Sequence, residues 1–288
     1  MPEEPPKQTE YQSTVFPTWC PGCGDFGIWG SLKNSLVSLN LHPWQFVVVF
    51  GIGCSGNMAD FFHAHGFHAL HGRGIPNATA IKLTNHTLPV IIVAGDGDTY
   101  GEGMGHFIAA ARGNHDITVI VHNNQVYGLT TGQSAPTTTK GTKTKSTPGG
   151  TIEIGVNPMA LAISSGATFV SRAFSGDMAH TAGLIKQAVE HKGFALVDIL
   201  QPCVTFNRIN TYDWYRQRVY KLDDEGYTPT DRTKAFAKAL EEEKIPLGIF
   251  YREEKPAYHE EVTALKEKPL VEQSISSIDL APALEEFL

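Results

Sequence analysis

The chain reads as an α/β protein built on a doubly wound, mostly parallel sheet. Three observations predict this. The runs 88–94 (LPVIIVA) and 117–121 (ITVIV) are continuously apolar, as strands covered on both faces must be. Segments of helical length separate these runs, so strand and helix alternate along the chain. Finally, 288 residues with 41% hydrophobic content suffice for one full α/β domain and a smaller appendage.

Taken in order, residues 1–16 are polar and Pro-rich, which predicts a flexible arm or a segment wrapped on a partner. A helix is expected over 26–39, directly after a C-x-x-C turn, and a strand over 45–50. Pro76 stands at the mouth of a helix running through 77–84. The strand 88–94, a helix over 103–114 and the strand 117–121 then form one strand-helix-strand unit. Residues 130–150 have the Thr, Ser, Gly and Lys content of a linker; lying next to a candidate site, they are expected to form an ordered loop. Helix 157–165, strand 168–173, helix 178–191 and strand 194–200 continue the alternation. From 210 the sequence becomes aromatic and charged. An amphipathic helix is expected over 230–243, a short strand or docking segment over 249–251, and a solvated helix with a frayed end over 253–288. The resulting division is an arm (1–16), a main domain (17–209) and a C-terminal extension (210–288).

A net charge of −7 argues against nucleic acid as a partner. The N-terminus lacks the pattern of a signal peptide, and no apolar run has membrane-spanning length. These features predict a cytoplasmic protein, in a reducing compartment where stable disulfides are rare.

Two constellations carry chemistry. Gly95-Asp96-Gly97-Asp98 follows one predicted strand and Asn123-Asn124-Gln125-Val126 follows the next. Asp96 and Asn124 thus fall at carboxyl ends of neighbouring strands, where open α/β sheets bind ligands. One carboxylate and one amide oxygen suit magnesium, which takes oxygen ligands and shares its shell with phosphate and water. The second constellation is the four cysteines. Cys20 and Cys23 form the C-x-x-C pair, while Cys54 and Cys203 each follow a predicted strand. All lie in turns rather than in apolar runs, unlike buried structural thiols. Redox thiols or disulfides are formally possible. Four thiolates at one sheet edge would instead hold structural zinc or an iron-sulfur cluster, and one knuckle with two isolated cysteines favours the cluster. His63, His65, His68 and His71 are close in sequence, but interleaved Phe61, Phe62, Phe67 and Leu70 make most of them structural. A structural role is also expected of His106, His115 and His122.

The Gly-Asp-Gly and Asn-Asn pair resembles the thiamine diphosphate signature. Combined with the four cysteines, with 19–27, 51–55 and 71–76, and with 123–130, it makes the chain similar to the beta subunits of 2-oxoacid:ferredoxin oxidoreductases. The resemblance runs from about 17 to 207 and, less sharply, from 212 to 251. It implies Mg2+ held by Asp96, Asn124 and the backbone carbonyl of Val126, and one 4Fe-4S cluster on Cys20, Cys23, Cys54 and Cys203. Contacts to thiamine diphosphate would come from Ile52, Gly53, Ser55, His71, Gly97, Asp98, Gly128 and Leu129. Asn57 and Arg73 would face the substrate. The implied reaction is oxidative decarboxylation of a 2-oxoacid, 2-oxoglutarate before pyruvate, with coenzyme A as co-substrate and ferredoxin as electron acceptor. Because the chain offers one cofactor domain and an extension, an alpha subunit is expected to supply the Glu that activates the cofactor, with the C-terminal extension packing against it. Two other readings stand beside this one: a non-oxidative thiamine decarboxylase or carboligase subunit with structural zinc, and a zinc-stabilised binding module without catalysis.

Overall fold

The apolar runs become strands whose two faces are both covered by helices. The computed structural model describes residues 4–276 and 278–287. In chain order its elements are α1 (Asp25–Ser38), β1 (Val47–Phe50), α2 (Met58–Phe61), β2 (His65–His68), α3 (Gly74–Thr84), β3 (Val90–Gly95), α4 (Met104–Arg112) and β4 (Thr118–Asn123). There follow β5 (Val126–Tyr127), β6 (Gln133–Ser134), α5 (Pro158–Ser165), β7 (Phe169–Phe174), α6 (Met178–Glu190), β8 (Ala195–Leu200), α7 (Tyr212–Arg216), β9 (Val219–Lys221), α8 (Arg232–Ala239), β10 (Ile245–Arg252), α9 (Tyr258–Glu261) and α10 (Ala281–Glu285).

Eight strands form one sheet in the order β2-β1-β3-β4-β8-β7-β10-β9. The first six are mutually parallel; β10 pairs antiparallel with β7, and β9 follows β10. Alternate side chains of each run divide between two cores. Val48, Phe50, Ile91, Val93, Ile120 and Val197 face the layer of α1 and α6. Val49, Ile92, Ala94, Val119, Val121 and Leu196 face that of α3, α4 and α5. Burial on both sides explains why these strands show no polar alternation.

Local signals set the helix limits. Asn157 caps α5 by accepting from the Ala160 amide at 3.2 Å, Pro158 opens its first turn, and Gly166 closes it in the left-handed region at φ +93°. Asp177 caps α6 in the same way. Helix α3 begins at Gly74, earlier than expected, because Pro76 falls in the first turn, where an amide has no intrahelical acceptor to lose. The helix expected over 103–114 is preceded by one π-helical turn, Asp98–Glu102, closed by Gly103 N donating to Asp98 O at 2.9 Å.

Four segments differ from expectation. Residues 8–11 form a 3-10 turn whose Tyr11 is fully buried and donates to the Leu41 carbonyl at 2.6 Å, so this part of the arm is anchored. The histidine-rich stretch contributes β2, an exposed edge strand beside β1. The segment around 249–251 is the longer β10, which with β9 extends the main sheet. Where one solvated helix was expected over 253–288, the described residues hold only short helical turns, with Ala257, His259 and Leu265 buried.

Behind α6, His191 is 4% exposed, its Nε2 lying 2.8 Å from Thr168 Oγ1. Burial, then the Arg252 charge, pushes its pKa down from 6.5 to about 4. This group therefore costs nothing above pH 6.5, where both folded and unfolded forms are neutral. As pH falls towards 4 only the unfolded form gains a proton, and stability drops by roughly 3 kcal/mol. His115, His180 and His259 are pushed the same way, mainly by burial. Chemical denaturation at pH 7 and pH 4.5 is therefore expected to show a smaller acid loss for His191→Gln than for the parent protein. Equal losses would remove His191 from the account.

Candidate active site

Strands β1, β3, β4 and β8 are parallel neighbours, so their carboxyl ends deliver 51–55, 95–98, 123–126 and 201–203 to one edge of the sheet. A cleft with about 480 Å3 of empty space opens there. Its walls contain Ile52, Gly53, Ser55, His71, Asp96, Gly97, Asp98, Asn124, Val126, Gly128 and Leu129, thus every residue expected to touch the diphosphate, its metal or the cofactor.

Asp96 is 2% exposed. Its Oδ2 accepts from the Gln125 amide at 3.1 Å and from Thr137 Oγ1, and it forms no ion pair among the described residues. Burial pushes its pKa up to about 7, with the Asp198 charge adding to the rise. A carboxylate so enclosed and without a cation fits a metal ligand. Asn124 Oδ1 accepts from the Val126 amide at 3.0 Å across Gln125, held at φ +59°. This turn folds the Asn-Asn motif back over the cleft. Gly97 is required by close approach, since a Cβ there would lie 2.2 Å from the Tyr127 ring. Asp98 accepts from the Gly72 amide at 2.7 Å, and His71 Nδ1 lies 2.9 Å from the same oxygen. Burial raises the Asp98 pKa, while the Gly72 and Ile52 amides and His71 oppose the rise. Ser55 Oγ and His122 Nε2 are buried without a hydrogen-bond partner among the described residues. Their residues line the cleft, which suits them to a polar ligand.

The four cysteines line a second, adjoining cavity, and all are free thiols. Cys54, Asn124, Gly128 and Leu129 belong to the walls of both spaces. Gly128 separates two of the thiols: a Cβ there would be 3.4 Å from Cys54 Sγ and 3.7 Å from Cys203 Sγ. The knuckle is pressed against the exits of β7 and β8, where a Cβ on Gly24 would lie 2.7 Å from Ser175 Oγ and 2.8 Å from Gln201 Cγ. Cys23 Sγ accepts from Gln201 Nε2 at 3.1 Å and donates to Asp25 Oδ2 at 3.2 Å. Burial and then Asp25 raise the Cys23 thiol far above its usual range; burial, Asp25 and the neighbouring thiols push Cys54 up to about 12. As thiolates these groups need nearby positive charge. Among the described residues no three His, Cys, Asp or Glu side chains gather closely enough to hold a single metal ion. Four thiols around one cavity, without convergence on one point, fit a cluster with several iron corners better than a lone zinc.

Of the substrate candidates, Asn57 lines the cysteine cavity. Arg73 lines neither space; its Nη1 donates to the Gly72 and Glu102 carbonyls, each at 3.3 Å. The sequence reading missed three contributors. Thr137 reaches Asp96 from 41 residues away. Buried Asp25 joins the knuckle to the cleft, its Oδ1 2.6 Å from His122 Nδ1, although His122 was expected to be structural. The only signal for Asp25 was its place in the first helical turn after Cys23. Nothing local marked Thr137.

An acid-amide pair on adjacent parallel strands, facing a cleft at a sheet edge, is the arrangement expected of a thiamine diphosphate-binding enzyme domain. Residues 51–199 match the model of the thiamine pyrophosphate enzyme C-terminal TPP-binding domain, and 203–267 match that of the C-terminal part of the pyruvate ferredoxin oxidoreductase beta subunit. The chain belongs to the family of 2-oxoacid:ferredoxin oxidoreductase beta subunits. It is 47% identical to subunit beta of 2-oxoacid:ferredoxin oxidoreductase 1 from Aeropyrum pernix, over 96% of this chain and 88% of that protein. It is 33% identical to the 2-oxoglutarate synthase subunit KorB of Methanocaldococcus jannaschii, over 87% of this chain and 93% of the relative. The solved structure of 2-oxoglutarate:ferredoxin oxidoreductase from Magnetococcus marinus, with 2-oxoglutarate, coenzyme A and succinyl-CoA bound, superimposes with a TM-score of 0.91 at 35% identity, covering 99% of this chain and 97% of that one. Among the described residues, no helix is long and apolar enough to cross a membrane.

Proposed function

We propose that this chain holds thiamine diphosphate, Mg2+ and one 4Fe-4S cluster, and that with an alpha subunit it converts a 2-oxoacid and coenzyme A to acyl-CoA and carbon dioxide, passing electrons to ferredoxin. The observation that carries this reading is the shared wall. Cys54, Gly128 and Leu129 separate a cavity of four thiols from a cleft equipped for a diphosphate and its metal, so an electron leaving the cleft has a short path to the cluster.

Thiamine diphosphate, when bound, supplies the nucleophilic carbon and the electron sink that loss of carbon dioxide requires. The chain supplies placement. Asp96, Asn124 and the Val126 carbonyl would hold the metal, and Gly97 would let the backbone approach the phosphates. Ser55 and His122 offer unused hydrogen-bonding atoms, while Ile52 and Leu129 add apolar surface to the cleft walls. Cys20, Cys23, Cys54 and Cys203 would hold the iron. The activating Glu is assigned to the alpha subunit, and the C-terminal extension is proposed to pack on it. For the substrate we favour 2-oxoglutarate, then pyruvate, in keeping with the names of the Methanocaldococcus and Magnetococcus relatives. Recognition of the distal carboxylate falls chiefly to the alpha subunit, since Arg73 is outside both cavities and Asn57 stands on the thiol side.

The test is anaerobic purification with the native partner, followed by visible absorption and iron, sulfide and zinc assays. About four irons per chain and a visible band that bleaches with 2-oxoacid and coenzyme A are expected, fastest with 2-oxoglutarate. One zinc per chain and no bleaching would overturn the redox reading in favour of a non-oxidative thiamine enzyme.

A further inference from the structure

Gln201 follows β8 directly, is 1% exposed and lines the thiol cavity. Its Nε2 donates to Cys23 Sγ at 3.1 Å and, more loosely, to the Pro202 carbonyl at 3.4 Å. The other end of the amide is idle: Oε1 is buried and has no hydrogen-bond partner among the described residues. A buried amide oxygen without a donor is a cost that an apolar side chain of the same length avoids. What Gln201 supplies against that cost is a donor to one cysteine. Among the described residues, no side chain donates to the sulfur of Cys20, Cys54 or Cys203.

Local packing fixes this donor. Gln201 N donates to the Asn123 carbonyl at 2.9 Å, which ties the residue to the end of β4. Gly24 N donates to the Pro202 carbonyl at 3.1 Å, which ties the knuckle to the same turn. The side chain passes through the space that a Cβ on Gly24 would need, since that atom would lie 2.8 Å from Gln201 Cγ. The sulfur it reaches is on the dry side of the cavity: Cys23 is 7% exposed, whereas Cys20 is open to solvent.

We infer that Gln201 is a positioning residue for electron transfer, raising the reduction potential of the iron-sulfur cluster through its hydrogen bond to Cys23. The inference rests on the reading of the four cysteines as cluster ligands and adds what sets the potential of that cluster. Each electron taken up adds one negative charge, shared between iron and sulfur, so a donor to a ligand sulfur favours the reduced form. The effect grows where water is excluded. Asp25 acts on the same sulfur in the opposite sense, because its Oδ2 lies 3.2 Å away and a carboxylate there resists added negative charge. In the free thiol that oxygen accepts the proton of the sulfur. Once iron has taken the place of the proton, Gln201 is the side-chain donor left to Cys23 among the described residues.

The experiment is an anaerobic redox titration of the complex purified with its native partner, read by electron paramagnetic resonance of the reduced cluster. The parent is compared with Gln201→Met, which keeps the length and loses the donor, and with Asp25→Asn, which removes the carboxylate. Gln201→Met is expected to hold about four irons per chain and to melt no lower than the parent. Its reduction equilibrium should move about tenfold towards the oxidised cluster, the scale of one hydrogen bond to a charged group, which is ~59 mV of lower potential for one electron. Asp25→Asn should move the potential upward. A side chain that only filled space would leave the potential alone, so a parental potential in iron-loaded Gln201→Met overturns the inference. Loss of iron from that variant overturns it too, by making the amide an assembly residue, and a fall in both variants does so by marking general disturbance of the knuckle. If the parent itself carries zinc in place of iron, the functional reading fails and the inference falls with it; a reducible parent cluster whose potential is unmoved by Gln201→Met condemns only the role of Gln201.

Discussion

Asp96→Asn is expected to abolish magnesium-dependent cofactor binding while making the cofactor-free protein more stable at pH 8. Both effects follow from the same buried carboxylate. At 2% exposure with no cationic partner, its pKa is pushed up to about 7, so the folded state resists its ionisation. The sign follows directly: below about pH 4 the group is protonated folded or unfolded and costs nothing. As pH rises past 3.8 the unfolded form ionises first, and the full penalty is present above about 7. The amide retains an oxygen to accept from Gln125 N and Thr137 Oγ1, so the turn keeps its shape. A bound dication reverses the balance, because it repays the buried charge. Saturating Mg2+ and thiamine diphosphate should therefore stabilise the parent by about 2.7 kcal/mol at a hundredfold excess over Kd and the variant not at all. Activity of the complex should fall by at least the roughly 10- to 100-fold that follows when even an outer-shell metal partner is altered. Thermal melts with and without metal and cofactor decide it, and an equal ligand-induced rise in the variant would mean that Asp96 is not the ligand.

Asp96 and Asn124 were legible because each belongs to a local pattern: a Gly-rich turn or an amide pair directly after an apolar run. The parallel sheet then had to bring them to one edge. The alternating helices and strands of 157–200 were legible for the same reason, since Asn157, Gly166 and Asp177 mark their ends within a turn of the sequence. What escaped depends on partners far apart. Asp25 and His122 meet across 97 residues, and neither position announces the other. Tyr11 anchors a polar segment through a single ring against Phe46 and Phe62, too little apolar sequence to register as an element.

Strand β2 escaped because His65-Gly66-Phe67-His68 has neither apolar continuity nor alternation; it is a strand because β1 offers it an open edge. β10 was read too short because a register shift between Ile249 and Tyr251 breaks the period-2 pattern that would have revealed its length. Both are tertiary decisions, made by pairing rather than by propensity. The cofactor edge was spared this difficulty because its strands are central, buried on both faces and therefore strongly patterned.

Cys54→Ala should separate the two halves of the site. Cys54 stands on the wall common to cleft and thiol cavity, and its backbone carbonyl is held by Trp19 Nε1 at 2.7 Å, so the backbone is fixed independently of the side chain. Removing the thiol would leave three of the four proposed ligands around a cavity where Cys23 and Cys203 are buried and where burial pushes the Cys54 thiol up to about 12. Iron must displace those protons to bind, and it does so only if the full set of thiolates shares the cost. The variant, purified anaerobically with its partner, is therefore expected to contain far fewer than the about four irons of a complete cluster. Substrate-driven bleaching and ferredoxin reduction should fall to the background of the assay. Magnesium and thiamine diphosphate should still bind, because Asp96 and Asn124 lie on the turns after β3 and β4, Val126 opens β5, and all three are untouched. That combination, cofactor retained and electrons lost, distinguishes a redox centre from a structural zinc, whose removal would instead loosen the knuckle and leave decarboxylation to a non-oxidative product intact. A full iron complement in Cys54→Ala would remove Cys54 from the ligand set.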